Sequence, residues 1–195
     1  MTINPTISYN DVYYTHGGDI GGYDNYSGNS FPVEENSTLL AKVSAFGGSL
    51  VGKKVLVCGC AYGFTVKYLV GVGVNAFGMD ISSYAISQAP AEISSRLIVG
   101  DVRLATDFAR VKSLAKITSN KKFDMIIDED MMCCLNDADA VIYCNLMRQY
   151  GTWVVHLIDV NPHLATWYNF HTLAEWKSLV GMSDKYYARF SWSEV

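Results

Sequence analysis

Three apolar runs in this 195-residue sequence end in a carboxylate, and a fourth ends in a glycine-rich turn. Lys54 to Cys58 leads into Gly59-Cys60-Ala61-Tyr62-Gly63, and Asn75 to Met79 leads into Asp80-Ile81. Arg96 to Val99 leads through Gly100 into Asp101-Val102, and Phe123 to Ile127 leads into Asp128-Glu129-Asp130. If these runs are parallel strands, the residues after them gather at one edge of a sheet, where open α/β folds bind ligands. A glycine turn there lets a ligand approach the backbone, and the next helix aims its free N–H groups at the same place. Asp80 follows the turn by about 20 positions, the spacing that sets a carboxylate against the hydroxyls of a ribose.

A dinucleotide would use the same acid. Its fingerprint G-x-G-x-x-G fails here, because the second and third glycines fall on Ala61 and Phe64. A pyrophosphate needs the close approach those glycines give, and Phe64 interferes with tight helix–strand packing. A phosphate-free nucleoside asks for less: an acid for the sugar, a polar group at the adenine amine and room for its tail. The blander reading of Asp80 and Asp101 is helix capping, and that of Gly59 to Gly63 an ordinary connection. Asp128, Glu129 and Asp130 side by side would repel one another unless something positive, or bulk water, lies near them.

No motif singles out a catalytic base. Such a group must reach the acceptor's proton, and the candidates are His16, Asp128, Glu129 and His156. His156 lies inside an apolar run, which also suits a core histidine; His163 and His171 read as surface or packing residues. The five cysteines, Cys58, Cys60, Cys133, Cys134 and Cys144, contain no C-x-x-C pair. An odd count outside a small secreted scaffold indicates reduced, metal-free thiols and a cytoplasmic setting.

The elements that would position these groups follow from periodicity and punctuation. Pro32 opens a helix over residues 33–46 with Leu39, Leu40, Val43 and Phe46 on one face, stopped by Gly47 and Gly48. Helices are expected over 64–70, after Ser82 or Ser83 and before Pro90, within 103–117, and over 137–149. Thr172-Leu-Ala-Glu175 is a capping box for a helix to Val180. Trp153 to Asp159 reads as a fifth strand and Tyr186 to Trp192 as a last one. Strands alternating with helices, the early ones continuously apolar, predict a parallel sheet covered on both faces. Residues 1–31, dense in Tyr, Gly, Asn and Ser, read as an irregular arm lying on a domain that spans 32–195.

Bulk properties narrow the partners. Fifteen basic residues against 19 acidic give a net charge of -4, which does not advertise a face for nucleic acid. No run of about 18 uncharged apolar residues is present, so no membrane span is expected. The start has no basic segment followed by an apolar one, so no signal peptide is expected either.

With four motifs in this order, the chain resembles the class I S-adenosylmethionine-dependent methyltransferases over roughly residues 33–180. VLVCGCAYGF is similar to that family's first motif, Gly59 and Gly63 matching its outer glycines. FDMIIDEDMMCCL is similar to its fourth-strand motif. Two positions depart: Val57 stands where the family carries an acid, and Ala61 replaces the middle glycine. The resemblance implies a Rossmann-like three-layer sandwich with a mostly parallel sheet of six or seven strands, the last pair antiparallel and reduced here. It implies S-adenosylmethionine as cofactor, S-adenosylhomocysteine as product and no metal. The implied contacts are Gly59, Cys60, Ala61, Gly63, Asp80, Ile81, Asp101, Val102 and Asp128, with Asp80 on the ribose and Asp101 reading the adenine edge. Tyr13, Tyr14, Tyr23 and Tyr26 of the arm would act as a lid. No N-P-P-Y or D-P-P-Y tetrapeptide and no Pro-Cys pair follows the fourth strand, which argues against the DNA-methylating members. A small molecule, a sugar or an exposed protein group is the default acceptor, a small molecule first. The competing readings are a dinucleotide-dependent oxidoreductase and a non-catalytic S-adenosylmethionine-binding module.

Overall fold

Short apolar runs bounded by turn formers become buried parallel strands here because helices cover both of their faces. The computed structural model describes residues 9–17, 22–27, 33–158, 169, 171–181 and 185–188. Five strands form the body of the sheet: β1 (Lys54–Cys58), β2 (Asn75–Asp80), β3 (Leu97–Val99), β4 (Phe123–Glu129) and β5 (Gly151–Ile158). A four-residue strip, β6 (Lys185–Ala188), runs beside the second half of β5, so the order is β3-β2-β1-β4-β5-β6.

The sequence reading of six or seven strands closing in an antiparallel pair needs correction. The sheet's body has five strands, its edge strip is short, and every strand pair among the described residues is parallel. The reason is the connection. A helix, α7 (Leu173–Val180), intervenes between β5 and β6, and a helical crossover returns the chain in the same direction, whereas an antiparallel pair needs only a hairpin. Positions 189–192 of the expected last strand, together with Asp159 and His163, lie outside the described residues.

Side-chain alternation sorts the core into two layers. Val55, Val57, Met125, Ile127, Val155 and Leu157 pack on Leu39 and Val43 of α2 (Val33–Gly47) and on Val66 and Leu69 of α3 (Phe64–Gly71). Leu56, Phe77, Met79, Ile126 and Val154 face α5 (Ala105–Leu114), α6 (Asp137–Tyr150) and α7 through Phe108, Val111, Tyr143, Met147 and Trp176. Each fully buried side chain of this kind contributes roughly 1.5–3 kcal/mol, so neither layer is dispensable. The capping box expected at Thr172 and Glu175 is present, with both of its reciprocal hydrogen bonds.

The described parts of the arm, residues 9–17 and 22–27, hold regular structure that their composition does not suggest. Asn10 caps a single-turn helix, α1 (Asp11–Thr15), by accepting from the Tyr13 N–H. The segment 22–27 folds back over it, Tyr23 N–H donating to Tyr13 O and Tyr26 N–H to Tyr14 O. Propensity does not sustain one helical turn; the tyrosines do, by packing on the domain.

Candidate functional site

Register brings the tips of three strands together. Cys58, the last residue of β1, stands opposite Met79 on one side and Asp128 on the other, and Asp128 stands opposite His156 of β5. Past Cys58 the chain must turn sharply to enter α3. Gly59 and Gly63 take φ values of +74° and +80°, and Ala61 takes +45°. The glycines adopt that region at no steric cost, whereas alanine is strained there by about 1–2 kcal/mol. What holds Ala61 is its N–H, which donates to Oδ2 of Asp80 at 2.8 Å. The departure from the glycine pattern is thus secured by the acid at the end of β2.

Asp80 is 6% exposed, and its other oxygen accepts the Ser82 N–H at 2.8 Å. Burial pushes its carboxyl above the ordinary range, while the Ser82 and Ala61 N–H groups pull against that. Ser82 begins α4 (Ser83–Ser87) by accepting from the Ala85 N–H, and its hydroxyl donates to Tyr9 O in the arm. Tyr13, Tyr14 and Tyr26 of the arm pack with Ala61, Tyr62 and Ala85. Tyr14 lies 5.2 Å from the Tyr62 ring and 6.1 Å from the Tyr84 ring, centroid to centroid. Burial, then the nearby Asp80 charge, pushes its hydroxyl pKa far up. The arm therefore sits on the glycine turn and on the start of α4, and it seals Asp80.

Beside Asp80, the Gly100 N–H donates to Asp80 O, so Asp101 belongs to the same end of the sheet. Its carboxylate is engaged by Arg103, with Nε and Nη2 both in reach and Nη2 at 2.6 Å, and Arg103 extends to Asp139 at 3.2 Å. Partial burial raises the Asp101 pKa, but the Arg103 hydrogen bonds outweigh it and the net shift is downward. The bland and the functional readings of Asp101 both meet this competition. Val102 is buried in the core beside Phe108, whereas Ile81 and Leu104 are exposed at the ends of β2 and the β3–α5 loop. A folded pKa below the unfolded one adds stability above the unfolded value, lost as pH falls through the folded value. Arg103→Ala is accordingly expected to cost under about 1 kcal/mol near pH 7. The deficit should vanish in strong acid, as read by urea unfolding at the two pH values.

Strand alternation divides the acidic run at the β4 tip between the two faces of the sheet. Asp128 faces the α6 side, fully buried, with Oδ2 2.7 Å from Nδ1 of His156 and Oδ1 accepting the Met131 N–H at 2.9 Å. Glu129 faces the opposite side and accepts the Thr65 hydroxyl at 2.8 Å. Asp130 leaves the strand with φ +55°. The chain then carries Met131 back over Gly59: a Cβ added to Gly59 would come within 2.5 Å of Met131 Cγ. Cys58 and Cys60 are buried, and burial holds both thiols above their usual pKa range.

The structure thus joins Gly59, Cys60, Ala61, Gly63 and Asp80 in one turn, sets Asp101 next to it, and lines up Asp128, Glu129 and His156 at the neighbouring tips. It does not bring His16 to them: that ring is exposed in the arm and bonded to the Thr15 hydroxyl. His171 holds Asp137 at 2.8 Å and packs on Trp176, a structural place.

No protein-family model matches the sequence, and no curated protein matches it. Solved structures do. An S-adenosylmethionine-dependent methyltransferase from Clostridium acetobutylicum superposes with a TM-score of 0.52 at 18% identity, over 69% of this chain and 53% of that one. Magnesium protoporphyrin IX methyltransferase from Synechocystis, with bound SAH, gives 0.60 at 15% identity over 87% and 84%. An amino pentose methyltransferase from Micromonospora echinaspora, bound to SAM, gives 0.53 at 15% over 70% and 55%. The fold is that of the S-adenosylmethionine-dependent methyltransferases. This chain spans about half the length of the first of these relatives.

Against that methyltransferase fold, four side chains near the strand tips escaped the sequence reading. Thr65 meets Glu129 and Met131 covers Gly59, and neither pairing leaves a local trace in the sequence. Tyr62 and Tyr84 form the floor on which the arm docks; their only signal was an excess of tyrosine on both sides of the contact.

Proposed function

We propose that this chain is an S-adenosylmethionine-dependent methyltransferase whose acceptor is a small molecule. The observation that carries the reading is the strained Gly59–Gly63 turn clamped to the buried Asp80 at the tip of β1, in a fold shared with enzymes of that class. The residues fit the donor in three respects. Glycine at 59 leaves the backbone bare, and a donor reaching it displaces the Met131 side chain, whose Cγ lies 2.5 Å from the position a Cβ would take, beside Glu129 O. Each Asp80 oxygen accepts one N–H and keeps a lone pair for a ribose hydroxyl. Exposed Ile81 offers apolar surface for a base ring beside that acid. Cys60, Ala61, Gly63, Asp101, Val102 and Asp128 complete the proposed donor site, with Asp128 acting through Met131 from beneath.

S-adenosylmethionine, when bound, supplies a methyl group already activated by its sulfonium. What remains for this chain is to hold the acceptor in line and exclude water, and proximity of that kind removes much of a barrier. Glu129, at 9% exposure, and His156, fully buried, are the candidates for accepting a proton at the strand tips. Glu129 stands on the same side as the turn. The relatives named above act on a porphyrin and on a sugar, and the net charge of -4 also favours a small acceptor over nucleic acid. Five free cysteines suit a reducing, cytoplasmic setting. Among the described residues no helix is long and apolar enough to cross a membrane.

In this reading residues 1–31 are a lid over the domain of residues 32–195. Since Tyr14 seals Asp80, the arm must lift to admit the donor and can then close on it. Tyr14→Ala removes the ring that contacts both Tyr62 and Tyr84. It is expected to lower the domain's unfolding midpoint modestly, because the buried ring packs on Ala61 and Tyr62, to raise cleavage within the arm in limited proteolysis, and to speed donor release severalfold. An unchanged release rate with a loosened arm would separate the arm from the donor site. The primary test is titration calorimetry with S-adenosylmethionine, S-adenosylhomocysteine and NADH. Binding of the first two supports the proposal, and tight NADH binding without them supports the oxidoreductase reading instead. Labelled methyl transfer into a metabolite extract then separates an enzyme from a non-catalytic module.

A further inference from the structure

We propose that Cys133 and Cys134 form a dithiol site that captures monosubstituted trivalent arsenicals. After β4 the chain passes Asp130 in the left-handed region and enters a short 3-10 turn, Met132–Cys134. That turn sends both thiols to one atom: Cys133 Sγ donates to Asp130 O at 3.0 Å and Cys134 Sγ to the same oxygen at 3.6 Å. Both sulfurs approach the same oxygen, and Cys134 is a hydrogen-bond neighbour of Cys133, so the two thiols face one side of the turn. Both are half-buried and can be reached, whereas Cys58, Cys60 and Cys144 are sealed in the core. Cys144 is turned instead toward Met132 Sδ, 3.8 Å away. The turn is tied down by the Asn169 N–H, which donates to Cys133 O at 2.8 Å, so the pair is preorganised rather than gathered by the ligand.

The donor count selects the ligand. Structural zinc takes four ligands, and among the described residues no group of three or more His, Cys, Asp or Glu could hold a metal ion. An arsenic atom bearing one carbon substituent has two valences left, one for each sulfur. With phenylarsine oxide the step balances without any redox partner. Two As–S bonds form, the bond between arsenic and oxygen breaks, both thiol protons leave on that oxygen as water, and arsenic stays trivalent. The site lies in the loop that carries Met131 over Gly59, but its chemistry does not depend on methyl transfer.

The test uses the full chain, one equivalent of phenylarsine oxide, and intact-mass spectrometry after excess 2-mercaptoethanol. A monothiol strips arsenic held by one sulfur and leaves the chelate. The wild type is expected to retain one adduct, heavier by the arsenical less one water, and to release it only to a small dithiol. Cys133→Ser and Cys134→Ser should each lose the adduct to 2-mercaptoethanol, while Cys144→Ser should keep it. Alkylation mapping of the loaded wild type, which needs no variant to fold, should show Cys133 and Cys134 alone newly protected. A wild-type adduct that the monothiol removes, or one that survives in both variants, overturns the proposal.

Discussion

Asp128→Ala is expected to lower the free energy of unfolding by roughly 2–6 kcal/mol, a large share of what holds a domain of this size together. The carboxylate is wholly buried and serves two donors, the His156 ring and the Met131 N–H. Truncation strands both in a region that water does not reach, and each stranded donor costs about 1–3 kcal/mol. Asp128→Asn keeps the shape and one acceptor oxygen, so its loss should be about half as large. Urea unfolding monitored by tryptophan fluorescence measures both. The double variant Asp128→Ala, His156→Ala sharpens the test, because residues in direct contact are not additive. Its loss should fall well short of the sum of the single losses, since removing the histidine removes one stranded donor. Additive losses, or a wild-type midpoint for Asp128→Ala, would mean the pair is not the clamp the geometry describes. The consequence reaches the turn as well. Asp128 fixes the Met131 backbone, and Met131 stands over Gly59, so the variant should also weaken any ligand at the β1 tip without touching it.

The division between what could and could not be read from the sequence follows the range of each interaction. β1, β2, β4 and α6 were legible because continuous apolar runs and a 3.6-residue period are local signals. Asp80 was legible as the acid after the second strand, and its place beside the glycine turn followed from parallel topology alone. The acids at the β4 tip were only partly legible. Sequence adjacency suggested mutual repulsion, but successive strand side chains point to opposite faces, so Asp128 and Glu129 never share a side. Arg103 lay two positions from Asp101 and was available to sequence reasoning as its partner. The Thr65–Glu129 bond, by contrast, joins residues 64 positions apart and has no local signature. The parallel β6 was implied by a feature already in hand, the capping box at Thr172. A helix between two strands dictates a crossover, and the expected antiparallel closure gave that less weight than the family pattern. The arm's helix was illegible because its stability comes from Tyr14 and Tyr26 meeting Tyr62, and only the fold reveals that contact.

Asp80→Ala should abolish measurable S-adenosylmethionine binding in calorimetry while leaving a folded, less stable domain. Asp80 has two duties that must be told apart. In the structure it accepts the Ala61 and Ser82 N–H groups, and removing it leaves each without an acceptor at about 1–3 kcal/mol. In the proposed function it also grips the ribose. Asp80→Asn separates the duties. Its amide oxygen still accepts one N–H, but its amide nitrogen confronts the other donor, so about half the structural loss remains and the grip on a diol is weakened. The pH dependence carries the sign. Burial raises the folded pKa of Asp80 above the unfolded value, so the folded protein holds this proton more tightly. Wild-type stability relative to Asp80→Asn should therefore be greatest in acid. It should fall as pH rises from the ordinary carboxylate range through the folded pKa, and stay level above it. Donor affinity should move oppositely over the same window, because the ionised carboxylate is the stronger acceptor. A folded Asp80→Ala protein that binds S-adenosylmethionine as the wild type does would leave the turn a purely structural device and remove the ground for a nucleoside at the β1 tip.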